Sequence, residues 1–581
     1  IFKNIYMQIL SYKRSLFLIS FLLTSAVFAQ DKPLGSETVI VVKPYTPSVS
    51  DAFKIKETPK LGDSVSLEKK PVKYSIFSVP VASTFTPSKG QATKVEREKR
   101  VKLFNNYVTL GFGTYSNILA EFYSNLEVNR SDNFGIFLTH NSSQGGIEEV
   151  KLDDSFYNTE LNLNYNSRNR NSSWKTELGL QHQLFNWYGL PEGMNFSNEF
   201  LNSIDPTQNY YSALVGGELE LYDSFLEKAK ANYRYFGDSY SSMEHNFKAD
   251  ANFEVNIADE LINTEIYADV LNGKFNRSFN ASEEINYTQM NFGITPSLVI
   301  LRDDLTLNLG ASFVYGLDAE NSDNNFYIYP QVSASYRLAG EYFIPYAGLE
   351  GGLTQNTYYK FAQENPYVSP TLEMLPTDKP FDAYLGAKGK LTNSIAYNFR
   401  GSYMSEINKA LYQNNLTSDL NPEDYSYGNS FGVVYDDVKT ASFFGEINVD
   451  VKRNFRLGIN ATVFSYTSEF EEEAWNLPNF KASLIADYQI TEKWFAGANL
   501  FFIGERKDRR SFLTALDGLS SQTITLDSFV DVNANLGYRF NEQLSIFARG
   551  NNLLGDSYQR WSNFPVQGIQ VMAGATYKFD F

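Results

Sequence analysis

Val530-Asp531-Val532-Asn533-Ala534-Asn535-Leu536-Gly537-Tyr538-Arg539-Phe540 alternates apolar and polar residues without a break. Successive side chains of a β-strand point to opposite faces, so this segment has one apolar and one polar side. The same period-two pattern runs through Ile569, Val571, Ala573, Ala575, Tyr577, Phe579 and Phe581, and through Phe455, Leu457, Ile459, Ala461 and Val463. A water-soluble sandwich also alternates, but these segments run about 10–15 residues, the length of a tilted membrane-spanning strand.

The connections decide between the two. Ten tight turns are predicted around Ser131-Asp132, Asn169-Arg170, Ser224-Phe225, Asp259-Glu260, Arg302-Asp303, Gly340-Glu341, Thr392-Asn393, Lys452-Arg453, Thr491-Glu492 and Asn541-Glu542. Between them lie longer polar stretches such as 186–208, 355–380, 406–429, 505–525 and 553–568. Ten turns and eleven loops join about 22 strands, and an even count puts both barrel ends on the periplasmic side. The predicted fold is all-β: a transmembrane antiparallel β-barrel over residues 104–581, in the outer membrane of a Gram-negative cell.

Residues 1–29 read as a signal peptide. Lys13 and Arg14 precede the apolar core Ser15–Leu23, and Ala26-Val27-Phe28-Ala29 ends in small residues at the cleavage positions. That core is too short to span a bilayer. Residues 30–103 hold seven of the 19 prolines and carry 14 basic against 8 acidic residues, whereas 104–581 carries 33 basic against 59 acidic. A Pro- and Lys-rich stretch with few aromatics reads as an extended N-terminal arm, periplasmic or lumenal. Its charge suggests that it threads into an acidic lumen lined by Glu265, Asp269 and Asp531 beside Lys228, Lys230 and Arg234. The chain has no Cys, three His and a formal charge of −17. Thiolate chemistry is therefore excluded and nucleic acid disfavoured as a partner.

Ala548-Arg549-Gly550-Asn551-Asn552-Leu553-Leu554-Gly555-Asp556-Ser557-Tyr558, followed by Gly574 to Phe579, resembles the closing hairpin of TonB-dependent outer-membrane receptors. Leu554 and Gly555 stand where that family usually has Phe and Asp. Asn365-Pro366-Tyr367-Val368-Ser369-Pro370 through Phe381 is similar to a loop that enters a strand in the family. The abundance of Asn, Tyr and Phe is in the style of Bacteroidota proteins. The resemblance implies passage or reception of a solute across the outer membrane. With only residues 30–103 between signal and barrel, it implies a plugless member. Glu37-Thr38-Val39-Ile40-Val41 resembles the TonB box, the extended segment that pairs with an edge strand of TonB.

The expected partners are outer-membrane lipid, and TonB or another periplasmic protein reached through 30–103. Loop aromatics Trp187, Tyr188, Tyr358, Tyr359, Trp475 and Trp561 are candidates for ligand contact, whereas Trp494, Phe495, Tyr538 and Tyr577 read as interfacial girdle residues. His140 and His182 lie near outer strand ends, but no Ser or Asp motif accompanies them. No enzyme, cofactor or metal site is expected; acid clusters such as Glu469, Glu471, Glu472 and Glu473 lack calcium-loop spacing. The alternative function is a non-transporting structural subunit of an outer-membrane complex.

Overall fold

The computed structural model describes residues 102–191, 196–257, 260–418, 423–514 and 518–580. The signal peptide, the Glu37–Val41 segment, the arm up to Val101 and the terminal Phe581 lie outside these residues.

From Asn106 on, apolar–polar alternation and backbone pairing produce a single 22-stranded antiparallel sheet. Its first strand, Asn106–Gly113, pairs with its last, Gln570–Phe579, from Asn106↔Phe579 to Gly113↔Met572. At this seam Thr109 Oγ1 and Thr576 Oγ1 are 2.9 Å apart. Closure leaves the sheet no free edge, as a lipid-embedded sheet requires.

The alternation has the expected sense. Leu385, Phe443, Val463, Leu536 and Val571 are exposed on the outer wall, while Thr576 and Asp269 are buried on the inner one. Because adjacent residues face opposite ways, one girdle assignment is corrected. Trp494 and Tyr538 meet on the outer wall with ring centroids 4.8 Å apart, which turns Phe495 into the lumen. There its ring lies over Gly537, where an added Cβ would come within 2.1 Å of it. Tyr267 covers Gly293 in the same way.

Nine of the ten predicted turns fall at junctions between consecutive strands, and Asp259 of the tenth lies outside the described residues. The other end differs from the sequence reading. The connections 114–117, 239–242 and 319–322 are tight, while strands Ile395–Asn414 and Phe431–Lys452 run to 20 and 22 residues. The stretch 505–525, expected as a loop, holds a hairpin of Arg506–Thr514 against Gly518–Leu526, with Thr417–Ser418 alongside. Beyond the bilayer both strand faces meet water or protein, so alternation weakens while backbone pairing continues.

A charge placed on the lipid face tests this orientation. Leu385 lies mid-strand and is 68% exposed. Leu385→Arg is expected to lower barrel stability by about 2–4 kcal/mol, read as a lower urea midpoint in lipid vesicles.

Candidate functional site

Both ends of the described barrel lie at its tight-turn end, so the loop end is the outer mouth of an exported barrel. Three strand pairings next to loop 355–376 shift register there, at Glu350/Gly352, Asp378/Phe381 and Glu406/Lys409. Bulges bend a wall locally, and at this rim the loop turns back onto the inner face of the barrel.

The loop begins with the helix Tyr358–Glu364. The Thr357 side chain accepts from Lys360 N at 3.1 Å. Glu244, on the inner wall, accepts from Tyr358 N at 2.6 Å, Tyr359 N at 3.1 Å and the Tyr287 hydroxyl at 3.1 Å. A carboxylate thus satisfies free N–H groups at the end of a helix where negative charge is stabilising. Tyr358 is fully buried among Tyr210, Phe236 and Phe275, and its hydroxyl donates to Asp238 at 2.7 Å. Burial and the nearby Asp238 hold this phenol well above its ordinary pKa, so it remains a donor.

The rest of the loop is tied down by side chains of the wall. Gln289 Nε2 donates to Met374 O at 2.5 Å, Asn291 Nδ2 to Gln355 Oε1 at 2.7 Å, and the Tyr210 hydroxyl to Pro366 O at 2.9 Å. Phe431 N donates to Tyr367 O at 3.0 Å, and Ser369 N to Phe431 O at 2.8 Å. Beneath these bonds Phe361, Val368, Leu372 and Met374 form one buried cluster with Tyr412, Phe431, Trp561 and Phe564. Among the described residues the larger apolar cluster therefore lies between the outer loops and the wall.

Most of the aromatics singled out as ligand contacts are pegs of this seal. Trp187 is fully buried and donates from Nε1 to Tyr367 O at 3.2 Å. Tyr188 donates to Pro565 O at 2.9 Å. Trp561 packs on Tyr412 and Phe431. Trp475 belongs to a second cluster with Leu411 and Val438, and its Nε1 donates to Glu471 at 2.7 Å. Only Tyr359 is partly exposed, lying 3.9 Å from the Arg234 guanidinium. Glu244, Asp238, Gln289 and Asn291 were not singled out from the sequence. Each is an ordinary inward polar residue there, and its partner lies far along the chain.

The lumen charges named from the sequence mostly find partners in the wall. Asp269 pairs with Lys248 at 2.7 Å, Lys228 with Glu218 at 2.8 Å, and Asp531 accepts from Tyr558 at 2.9 Å. Arg234 donates to Ser212 at 2.9 Å. His140, His182 and His245 bond to Thr159, Tyr157 and Tyr233. Among the described residues no group of three or more His, Cys, Asp or Glu is placed to hold a metal ion.

No protein-family model and no curated protein matches the chain. Solved structures do. The ferripyoverdine receptor of the Pseudomonas aeruginosa outer membrane superposes with a TM-score of 0.60 at 14% identity, covering 83% of this chain and 73% of that one. The ferric enterobactin receptor of Pseudomonas aeruginosa gives 0.58 at 12% identity, covering 82% and 80%. The ferric-catecholate import receptor of E. coli K12 gives 0.56 at 10% identity, covering 83% and 82%. The chain has the fold of these receptors, as its closing-hairpin motif led one to expect.

Two measurements probe the mouth. Glu244→Gln removes a charge-assisted clamp, normally worth about 1.5–3 kcal/mol. Amides of 355–376 are expected to exchange faster while the melting temperature of the barrel stays unchanged. Asp508, fully buried in the outer hairpin, is pushed by burial from 3.8 up to about 6. A carboxyl with a raised folded pKa favours the folded state at low pH, and that benefit fades as pH rises from about 4 to about 6. After correction for intrinsic rates, amides of 506–514 are expected to be better protected at pH 4 than at pH 7, and Asp508→Asn to remove the difference.

Proposed function

We propose that the chain is an outer-membrane barrel of the TonB-dependent receptor type that mediates or gates passage of a solute, with loop 355–376 as the closure of its outer mouth. The observation that carries this reading is a loop folded onto the inner wall and hydrogen-bonded there by Glu244, Asp238, Gln289 and Asn291. The motif resembling the family's strand-entering loop, Asn365 to Pro370, lies within it. The surrounding partner is outer-membrane lipid. The arm 30–103 serves as the periplasmic contact, with Glu37–Val41 offering an extended segment to TonB or another edge strand. No catalytic step belongs to this reading.

Magnitudes shape the mechanism. Four buried apolar side chains, Phe361, Val368, Leu372 and Met374, contribute about 1.5–3 kcal/mol each when withdrawn from water. Full release of the loop then costs on the order of 6–12 kcal/mol. At 1.4 kcal/mol per tenfold, spontaneous opening is rarer than about one in 10⁴. A ligand of micromolar to nanomolar affinity supplies free energy of the same size, about 8–12 kcal/mol. The mouth therefore rests closed and opens only when ligand binding or work from the periplasmic side drives it. The same large seal also favours the second reading, a non-transporting structural subunit, because a permanently packed mouth suits a scaffold.

Planar-bilayer conductance separates them. The mature chain is expected to be closed. A variant with Glu244→Ala and Tyr358→Ala is expected to open stable channels while keeping heat-modifiable barrel mobility on gels, and removal of 30–103 reports whether the arm adds a second barrier. If the double variant is folded yet as closed as the parent, the gate reading fails and the structural-subunit reading takes its place.

A further inference from the structure

The strand Arg506–Thr514 carries two rows of cations with opposite fates. On one face Lys507 pairs with Glu473, and Arg509 with Glu471 at 3.5 Å. On the other, Arg506 and Arg510 have no carboxylate ion pair among the described residues. Arg506 is 6% exposed. Its terminal nitrogens donate to backbone oxygens of Gln559 and Arg560, and its buried Nε has no partner. Arg510 donates to Asn563 Oδ1 at 2.7 Å, and its Nε is likewise buried without a partner.

Two accessible cations face this pair. The Arg560 side chain is exposed and lies within electrostatic reach of Arg506. Lys481 is exposed and within reach of Arg506, Arg560 and Lys409. Its chain neighbour Phe480 pairs with lipid-facing Val463, so Lys481 projects into the lumen. Neither Arg560 nor Lys481 has an ion-pair partner among the described residues, whereas Lys409 is paired with Glu406. The acids nearby are few. Asp508 is buried on the same strand face, between Arg506 and Arg510, and interacts electrostatically with both. Glu364, within reach of Lys481, accepts from Tyr412 at 3.1 Å. Two stacked aromatic pairs border the cluster: Tyr558 on Phe529 at 3.8 Å and Tyr367 on Phe564 at 3.9 Å.

Asp508 offsets part of the charge of the two guanidinium groups; burying cations in excess of that is costly unless something else supplies negative charge. Asp269, Lys228, Asp531 and Arg234 find partners within the barrel; here four cations, Lys481, Arg506, Arg510 and Arg560, gather against two carboxyls, Asp508 and Glu364. We infer that Lys481, Arg506, Arg510 and Arg560 form an anion-binding subsite at the outer mouth, which takes an oxyanion group, carboxylate or phosphate, of the solute. Lys481 and Arg560 make the accessible contacts, and Arg506 and Arg510 supply fixed charge behind them. Planar guanidinium groups suit such oxyanions by geometry as well as by charge. The inference rests on the receptor reading and narrows its solute to an anionic one.

Isothermal titration of the purified mature chain with citrate and with inorganic pyrophosphate tests this, with sucrose as the uncharged control. Saturable binding near one anion per chain is expected, weakening as salt is raised. Lys481→Gln with Arg560→Gln, both at exposed positions, is expected to weaken binding at least tenfold. Arg506→Gln does so to a similar extent, and Lys507→Gln on the paired face leaves it unchanged. Heat-modifiable mobility verifies folding of every variant. Equal losses in Lys507→Gln and the double variant overturn the inference, since they mark diffuse surface charge; so does absence of binding up to 10 mM of either probe. Conductance of the mouth variant is measured separately. Open channels without anion binding leave the gate standing and remove the subsite, whereas anion binding without channels does the reverse.

Discussion

In a hydrocarbon environment each unpaired backbone N–H or C=O costs several kcal/mol, and the rest of the architecture depends on meeting that demand. The seam between Asn106–Gly113 and Gln570–Phe579 is where it is met, because without that pairing two full strand edges would face lipid. Antiparallel closure with an even number of strands sends both barrel ends to the tight-turn end. It leaves the long connections together at the other. Alternation then separates the two solvents, with Leu385 and Val571 outward and Asp269 and Thr576 inward.

The same demand explains the mouth. A loop that folds onto the inner wall brings backbone groups away from water, and they need partners there. Wall side chains provide them: Glu244 to the helix N–H groups, Gln289 to Met374 O, Tyr210 to Pro366 O. Apolar side chains then close over those bonds. The arrangement is firm when assembled, yet it consists of individually modest contacts between a loop and a wall. Under the gate reading these contacts are released without unfolding the barrel, whose strands are held by their own backbone ladders.

Charge follows a parallel logic. Lumen acids such as Asp269 and Asp531 are engaged by residues of the wall and loops. The lumen charges named from the sequence are thus largely occupied within the described residues and do not form an open acidic tunnel. The exception is the basic cluster around Arg506 and Arg560, where Lys507 and Arg509 on the opposite face of the same strand are paired. Position on the strand, not composition, separates the two rows.

Much of the barrel could be read from the chain alone. Period-two alternation is local, and lipid imposes it strictly, so Val530–Phe540 reveals its orientation without any partner. The turns were legible for the same reason, since short polar interruptions between alternating runs have few other meanings. Even the Phe495 error came from ignoring that parity beside Trp494. The mouth was not legible. Trp187, Tyr188, Tyr358, Trp475 and Trp561 stood out as aromatics in polar loops, but nothing local shows whether such a ring faces a ligand or a wall. Glu244 and Arg506 looked like ordinary polar and basic residues. Their roles arise from contacts across long stretches of chain, such as Glu244 with Tyr358 and Arg506 with the backbone of Arg560. The sequence by itself determined the membrane barrel, because hydrophobic burial in lipid acts residue by residue. Only the tertiary structure decided how the mouth closes and where cations gather, because burial and pairing there depend on which distant segments meet.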